Sequence, residues 1–180
     1  MKPLYSVLAL AGGLLLLVNH AAGGDKGTVV TLGALKSTAP ADWKSQAAAN
    51  KFRAYQFAVG DAELVIFYFG EGGGGNPADN IARWKSQFLP PEGKTIEEVS
   101  KLDKLKVGSA DLTYLDIQGT YLSKNPPFDP NAKTERKANY RRFGIFFACE
   151  GGPYFITLTG PARTLEQNKK SFDDWLKNFK

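Results

Sequence analysis

Few residues in this chain are of a type that does covalent chemistry, and their positions narrow what they can do. Among 180 residues there is one histidine, one cysteine and one methionine, namely His20, Cys149 and Met1. A serine or cysteine nucleophile needs an adjacent base, most often an imidazole. His20 lies in an apolar N-terminal stretch and Cys149 ends the run Phe-Gly-Ile-Phe-Phe-Ala-Cys at 143–149. A reactive thiolate needs a cationic setting, whereas a cysteine in an apolar run behaves as a small core hydrophobe. A lone cysteine also rules out an internal disulfide. The spacing therefore assigns no catalytic residue, no metal ligands and no cofactor.

The apolar stretch carries the marks of an export signal. Lys2 supplies a positive start, Leu4 to Val18 is apolar or small apart from Tyr5 and Ser6, and Ala21 to Gly24 is a run of small residues. That order is the one a secretory signal peptide shows. A spanning helix wants about 20 apolar residues, and Gly12-Gly13 interrupt a shorter stretch. The expected division is a signal peptide at 1–23, with Ala21 and Gly23 before the cut, and one domain at 24–180. The mature protein then lies outside the inner membrane, periplasmic or secreted, with any membrane contact peripheral. Cleavage removes one lysine and no acid, so the charge falls from +5 to +4. It also removes the only histidine.

Two clusters invite a binding role. Gly70, Gly72 and Gly75 fit G-x-G-x-x-G ahead of Asn76-Pro77. A dinucleotide site needs those glycines for close approach of a pyrophosphate, and then a parallel strand after the helix. Here Pro90-Pro91-Glu92-Gly93 and a hairpin pattern follow. Four successive glycines also make the match easy by chance. At the outer spacing of a phosphate-binding loop, Asn76-Pro77 stands where Lys-Ser/Thr is needed. No nucleotide cofactor is expected. Free amides at a helix start still make Gly72, Gly73, Gly74, Gly75 and Asn76 weak candidates for anion contact.

The second cluster is basic. Lys133, Arg136, Lys137, Arg141 and Arg142 occur with Glu135 as the one acid among them and with Tyr140 and Phe128 nearby. Lys133, Arg136, Lys137, Tyr140, Arg141 and Arg142 are the partner-binding candidates, fitting a protein or an anionic envelope component. The plainer alternative is a solvated connection. Modest charge, export and the lack of a recognition motif argue against nucleic acid. Glu63, Glu71 and Asp79 offer carboxylates for a hydrolase that needs no histidine, and a purely structural envelope role is the third reading.

The elements that must position these groups follow from periodicity and punctuation. Residues 28–35 read as a first strand, 51–59 alternate, and Ala62 to Phe69 is nearly continuous apolar sequence suited to a strand covered on both faces. Asn76 as N-cap and Pro77 at the first turn open a helix with Ile81, Trp84 and Phe88 on one stripe. Strands over 97–107 and 111–122 flank Gly108-Ser109, and 143–149 and 154–159 flank a second turn. Residues 124–142, polar and holding Pro126, Pro127 and Pro130, read as a long loop. Thr164 with Gln167 reads as a capping box for a last helix bearing Leu165, Phe172, Trp175, Leu176 and Phe179 on one face. The predicted class is α+β, an antiparallel sheet flanked by helices.

Trp43, the Ala-Glu-Leu-Val-Ile-Phe-Tyr-Phe strand, the Asn80-Ile81-Ala82-Arg83-Trp84 helix, the strand from Tyr154 to Pro161 and an aromatic C-terminal helix occur in that order. In this order the chain resembles the PsbP-like proteins over residues 30–180. It is similar, more narrowly, to small exported bacterial proteins of planctomycete type within that group. The resemblance implies an α-β-α sandwich and a non-enzymatic accessory role in binding other proteins. The family's metal binding leans partly on histidine, so no metal site is carried over.

Overall fold

The computed structural model describes residues 27–124 and 131–180. The expected signal peptide, and Pro126, Pro127, Phe128 and Pro130, lie outside the described residues. The elements run β1 (Val29–Leu32), β2 (Leu35–Thr38), β3 (Lys44–Ser45), β4 (Arg53–Val59), β5 (Ala62–Tyr68), α1 (Pro77–Ser86) and β6 (Phe88–Leu89). They continue with β7 (Ser100–Val107), β8 (Ala110–Lys124), β9 (Thr134–Cys149), β10 (Gly152–Pro161) and α2 (Ala162–Lys177). β1 and β2 form a hairpin of their own. The other strands form one eight-stranded sheet in the order β3-β4-β5-β10-β9-β8-β6, with β7 paired to β8.

Alternation along β9 assigns the two faces. Phe143, Ile145 and Phe147 join Leu165, Phe172, Trp175 and Leu176 of α2, and Val30 and Leu32 of the hairpin, in one core. Phe146 points the other way and packs with Ile81 and Trp84 of α1, Leu115, Ile117 and Phe155 in a second core. β5 lies between β4 and β10, and its Leu64 and Ile66 are buried in the core with α2. On the opposite face Val65 is buried, Glu63 is exposed and Phe67 half-buried, so the expected cover on both faces is only partial. The chain end is held too: Lys180 exchanges backbone hydrogen bonds with Lys36 of β2 at 2.9 and 3.2 Å. Phe179 is buried against Phe147 and Trp175 beside that clamp.

The class is α+β, but the sheet dominates. On one face α2 and the β1–β2 hairpin share the cover. On the other α1 contacts β6, β8 and β9, which leaves β4, β5 and β10 less covered.

Two sequence expectations are corrected. The long loop over 124–142 is largely strand, because β8 and β9 continue as a paired arm in which Tyr121 faces Lys137 and Lys124 faces Thr134. Its polarity misled because an arm standing off the core solvates its side chains while the ladder satisfies the backbone. The capping box is also absent. α2 starts directly after β10, with Pro161 at the N-cap and no side-chain cap, so Thr164 is already the third helical residue. The start of α1, by contrast, is as expected: Asn76 Oδ1 accepts the Asp79 N–H at 2.9 Å and Pro77 opens the helix.

Candidate functional site

The face that α1 leaves partly open is built from aligned rows across the strands. In one row Ala58, Glu63, Thr159 and Arg142 stand opposite one another on β4, β5, β10 and β9. The next row holds Gln56, Val65, Thr157 and Gly144, and the one beyond holds Arg53, Phe67, Phe155 and Phe146. The face thus carries charge in the first row and aromatic rings in the last, where Arg53 stands over Phe67 at 5.6 Å. A groove of about 870 Å³ follows these rows and is walled by α1 and by the β8–β9 arm.

Gly144 lets α1 come down on the sheet. A Cβ there would fall 2.7 Å from Cε3 of Trp84, so the indole occupies the space a side chain would need. With Trp84 seated, Asn80, Arg83 and Gln87 line the groove wall. Asn80 is buried and its Nδ2 donates to the Gly74 carbonyl at 2.8 Å and the Asn76 carbonyl at 3.0 Å. Its Oδ1 accepts from Arg83 Nη2 at 2.7 Å, which aims that guanidinium.

Arg142 is the least exposed charge in this wall, at 5%. Its Nε donates to Thr159 Oγ1 at 2.8 Å and its Nη1 donates to Gln87 Oε1. The guanidinium carbon stands 4.9 Å from the centroid of Tyr121 and 5.5 Å from that of Phe88. These partners are all neutral. Burial pulls the Arg142 pKa below its ordinary value; its interaction and hydrogen bond with Tyr121 oppose that shift, and the nearby positive Arg83 adds to it. An arginine stays protonated in such settings, so the wall holds a buried positive charge met by hydrogen bonds and ring faces but, among the described residues, by no carboxylate. Arg53, by comparison, bonds Glu63 at 3.0 Å, and Gln56 donates to the same carboxylate oxygen at 2.9 Å.

The basic candidates separate onto two faces, and a bulge decides which goes where. Between β8 and β9 the register slips between Gly119 and Tyr121, with Tyr140 opposite the first and Lys137 opposite the second. Asn139 sits in the slip with φ of 56°, a left-handed conformation that asparagine tolerates better than most residues. The extra residue reverses the alternation. Lys137 therefore joins Tyr140 and Arg142 in the groove, with its Nζ 5.8 Å from the Tyr140 ring. Arg141 points to the α2 face, where it forks onto Asp116 at 2.7 Å through both Nε and Nη2 and reaches Glu166 at 2.5 Å. That bonding to Asp116 raises its pKa above the ordinary value. Lys133 and Arg136 are exposed on the arm.

The glycine candidates have a structural task. Gly70, Gly72, Gly74 and Gly75 have positive φ, and a Cβ at Gly74 would stand 2.3 Å from the Phe155 ring. The turn is glycine-rich because it folds tightly over an aromatic floor. At the start of α1 the Asp79 N–H already donates to Asn76 Oδ1 at 2.9 Å, and the Asn76 side-chain Nδ2 donates to Asp79 Oδ2 at 2.7 Å.

The other chemical candidates are dispersed. Glu63 is in the groove, Asp79 is tied to the helix start, and Glu71 lies exposed in the glycine turn. Cys149 is partly buried, with its thiol donating to the Gly152 carbonyl at 3.6 Å, and burial pushes its pKa up. Trp43 and Trp175 pack edge to face in the α2 core, 5.2 Å apart. Among the described residues no group of three His, Cys, Asp or Glu side chains could hold a metal ion. No helix among them is long and apolar enough to cross a membrane.

Sequence reasoning missed Arg53, Arg83, Gln87, Tyr121 and Thr159. A helical wheel offers part of the signal, because Asn80, Arg83 and Gln87 recur at i, i+3 and i+7 beside the apolar stripe.

No family model matches the chain, and no curated protein matches it. Among solved structures it is similar to the cyanobacterial PsbP (CyanoP) of Synechocystis, known in solution. Identity is 11% over 96% of this chain and 98% of that one, with a TM-score of 0.47. A Pseudomonas aeruginosa protein of unknown function matches at 14% identity over 83% of this chain and 93% of that one, with a TM-score of 0.39. The resemblance read from the sequence thus has a PsbP among its structural neighbours, without bearing on the narrower planctomycete-type group. Both likenesses are too distant to bear on what the protein does.

Proposed function

We propose that the chain is an exported, non-enzymatic binding or accessory domain whose partner is a protein or an anionic envelope component. On this reading residues 1–23 are removed on export and the domain works outside the inner membrane. It belongs, on the same reading, with the PsbP-like proteins of the exported bacterial type and shares their α-β-α sandwich. The supporting observation is the paired β8–β9 arm, which offers Lys133, Arg136 and Lys137 with Glu135 as the acid among them. A pre-formed arm loses less entropy on docking than a loose loop of the same charge.

Cross-linking in cells tests this. A recurrent partner is expected, and Lys133→Glu, Arg136→Glu and Lys137→Glu together should reduce its capture severalfold. Unchanged capture removes the arm from the proposal. Turnover on an envelope glycan, abolished by Glu63→Gln, would replace the binding reading with the hydrolase one.

A further inference from the structure

We propose that the groove between α1, β10 and the β8–β9 arm binds a small organic oxyanion, a carboxylate or phosphate carried on a planar apolar body, with Arg142 and Arg83 on the charged group. The inference does not rest on the accessory role of the arm.

Charge bookkeeping across the groove is the first ground. Glu63 is engaged by Arg53 at 3.0 Å and Glu135 by Lys137 at 3.4 Å. Asp61 lies in the β4–β5 turn, with β10 between it and Arg142. Arg83 and Arg142 face the same space, repel each other, and have no carboxylate within salt-bridge reach among the described residues. A buried charge is stable only when something compensates it. Thr159, Gln87 and Tyr121 orient the Arg142 fork but bring no negative charge. A carboxylate or phosphate group between the two guanidiniums supplies it, in the planar geometry arginine favours.

The aromatic row is the second ground. Along the strands from Arg142 the floor passes Thr157 to reach Phe155, with Phe67 beside it on β5. Phe69 lies at that end, edge-on to Phe155 at 5.6 Å, and is 37% exposed. Phe155 itself is buried under the glycine turn, so the surface a ligand body meets at that end is Phe67, half-buried with the Arg53 guanidinium 5.6 Å from its centroid, and the exposed Phe69. The volume of about 870 Å³ is in the range of small-molecule sites. The glycine turn closes that end, since Gly74 approaches Phe155 more closely than any side chain would permit.

Calorimetric titration of the purified protein with phenyl phosphate, benzoate, benzamide and inorganic phosphate tests the assignment. Phenyl phosphate or benzoate should bind about tenfold or more tightly than benzamide and inorganic phosphate, and the tighter of the two names the group. Arg83→Gln, at an exposed position, should weaken that binding about tenfold with the melting temperature held. Arg142→Lys keeps the charge, loses the fork, and should weaken it further. Anions binding no better than benzamide would overturn the proposal, as would an Arg83→Gln protein that binds like the parent. Inorganic phosphate binding as tightly as phenyl phosphate would show an adventitious ion only, and would also overturn it.

Discussion

Gly144 of β9 lies under the indole of Trp84, close enough that a Cβ would approach ring carbons at 2.7 and 2.9 Å. That contact sets the height of α1 above the sheet, and through it the positions of Arg83 and Gln87 over Arg142. A rigid ring over backbone cannot yield as a flexible side-chain end can. Gly144→Ala is expected to cost about 1–3 kcal/mol in urea unfolding. A mutant as stable as the parent would mean that α1 is not seated on this glycine.

Asn139 decides which basic residues share the groove, through its left-handed φ of 56°. Asn139→Gly should leave stability within about 0.5 kcal/mol, whereas Asn139→Val should lose about 1–2 kcal/mol. Thermal unfolding of the two variants measures the difference. Equal melting temperatures would argue against the bulge.

Arg141 and Asp116 have side chains 15% and 20% exposed and share a two-pronged contact. Arg141→Met leaves Asp116 largely buried without its cation and should cost about 2–3 kcal/mol. The double variant with Asp116→Leu should recover much of the loss, as a double-mutant cycle would report. Glu166 is 71% exposed, so Glu166→Gln should change stability by about 0.5 kcal/mol or less. Arg141 then acts on stability, and ligand titrations of the double variant should match the parent.

Cys149 supplies a pH test. Only the thiolate alkylates, and burial disfavours that charged form, raising the thiol above its ordinary 9.0. Reaction with iodoacetamide should be slower at pH 8 than in the urea-unfolded chain, and its rate should inflect at higher pH. A folded profile that inflects at or below the unfolded one would contradict the buried, structural role.

Much of the fold was legible because its cues are local. Asn76-Pro77 marked the start of α1, Gly108-Ser109 marked the β7–β8 turn, and the nearly continuous apolar run of β5 marked a strand inside the sheet. The arm was not legible, since the Thr134–Tyr140 segment is polar on both sides and only its pairing with β8 makes it a strand. Of the groove, Lys137, Tyr140 and Arg142 were within reach as a basic cluster. Arg83, Gln87 and Thr159 were not, because nothing in their neighbours along the chain brings them to Arg142.

The sequence by itself determined what chemistry is missing and where the chain turns. The one histidine falls in the leader-like stretch, the one cysteine in an apolar run, and glycine, proline and alternation set most element boundaries. Only the tertiary structure decided that Lys137 and Arg142 share a face while Arg141 turns away, and that the buried guanidinium meets no carboxylate among the described residues. Periodicity and turn chemistry depend on a few adjacent residues. A register slip at a bulge and the height of a helix over a sheet depend on strands paired from distant parts of the chain.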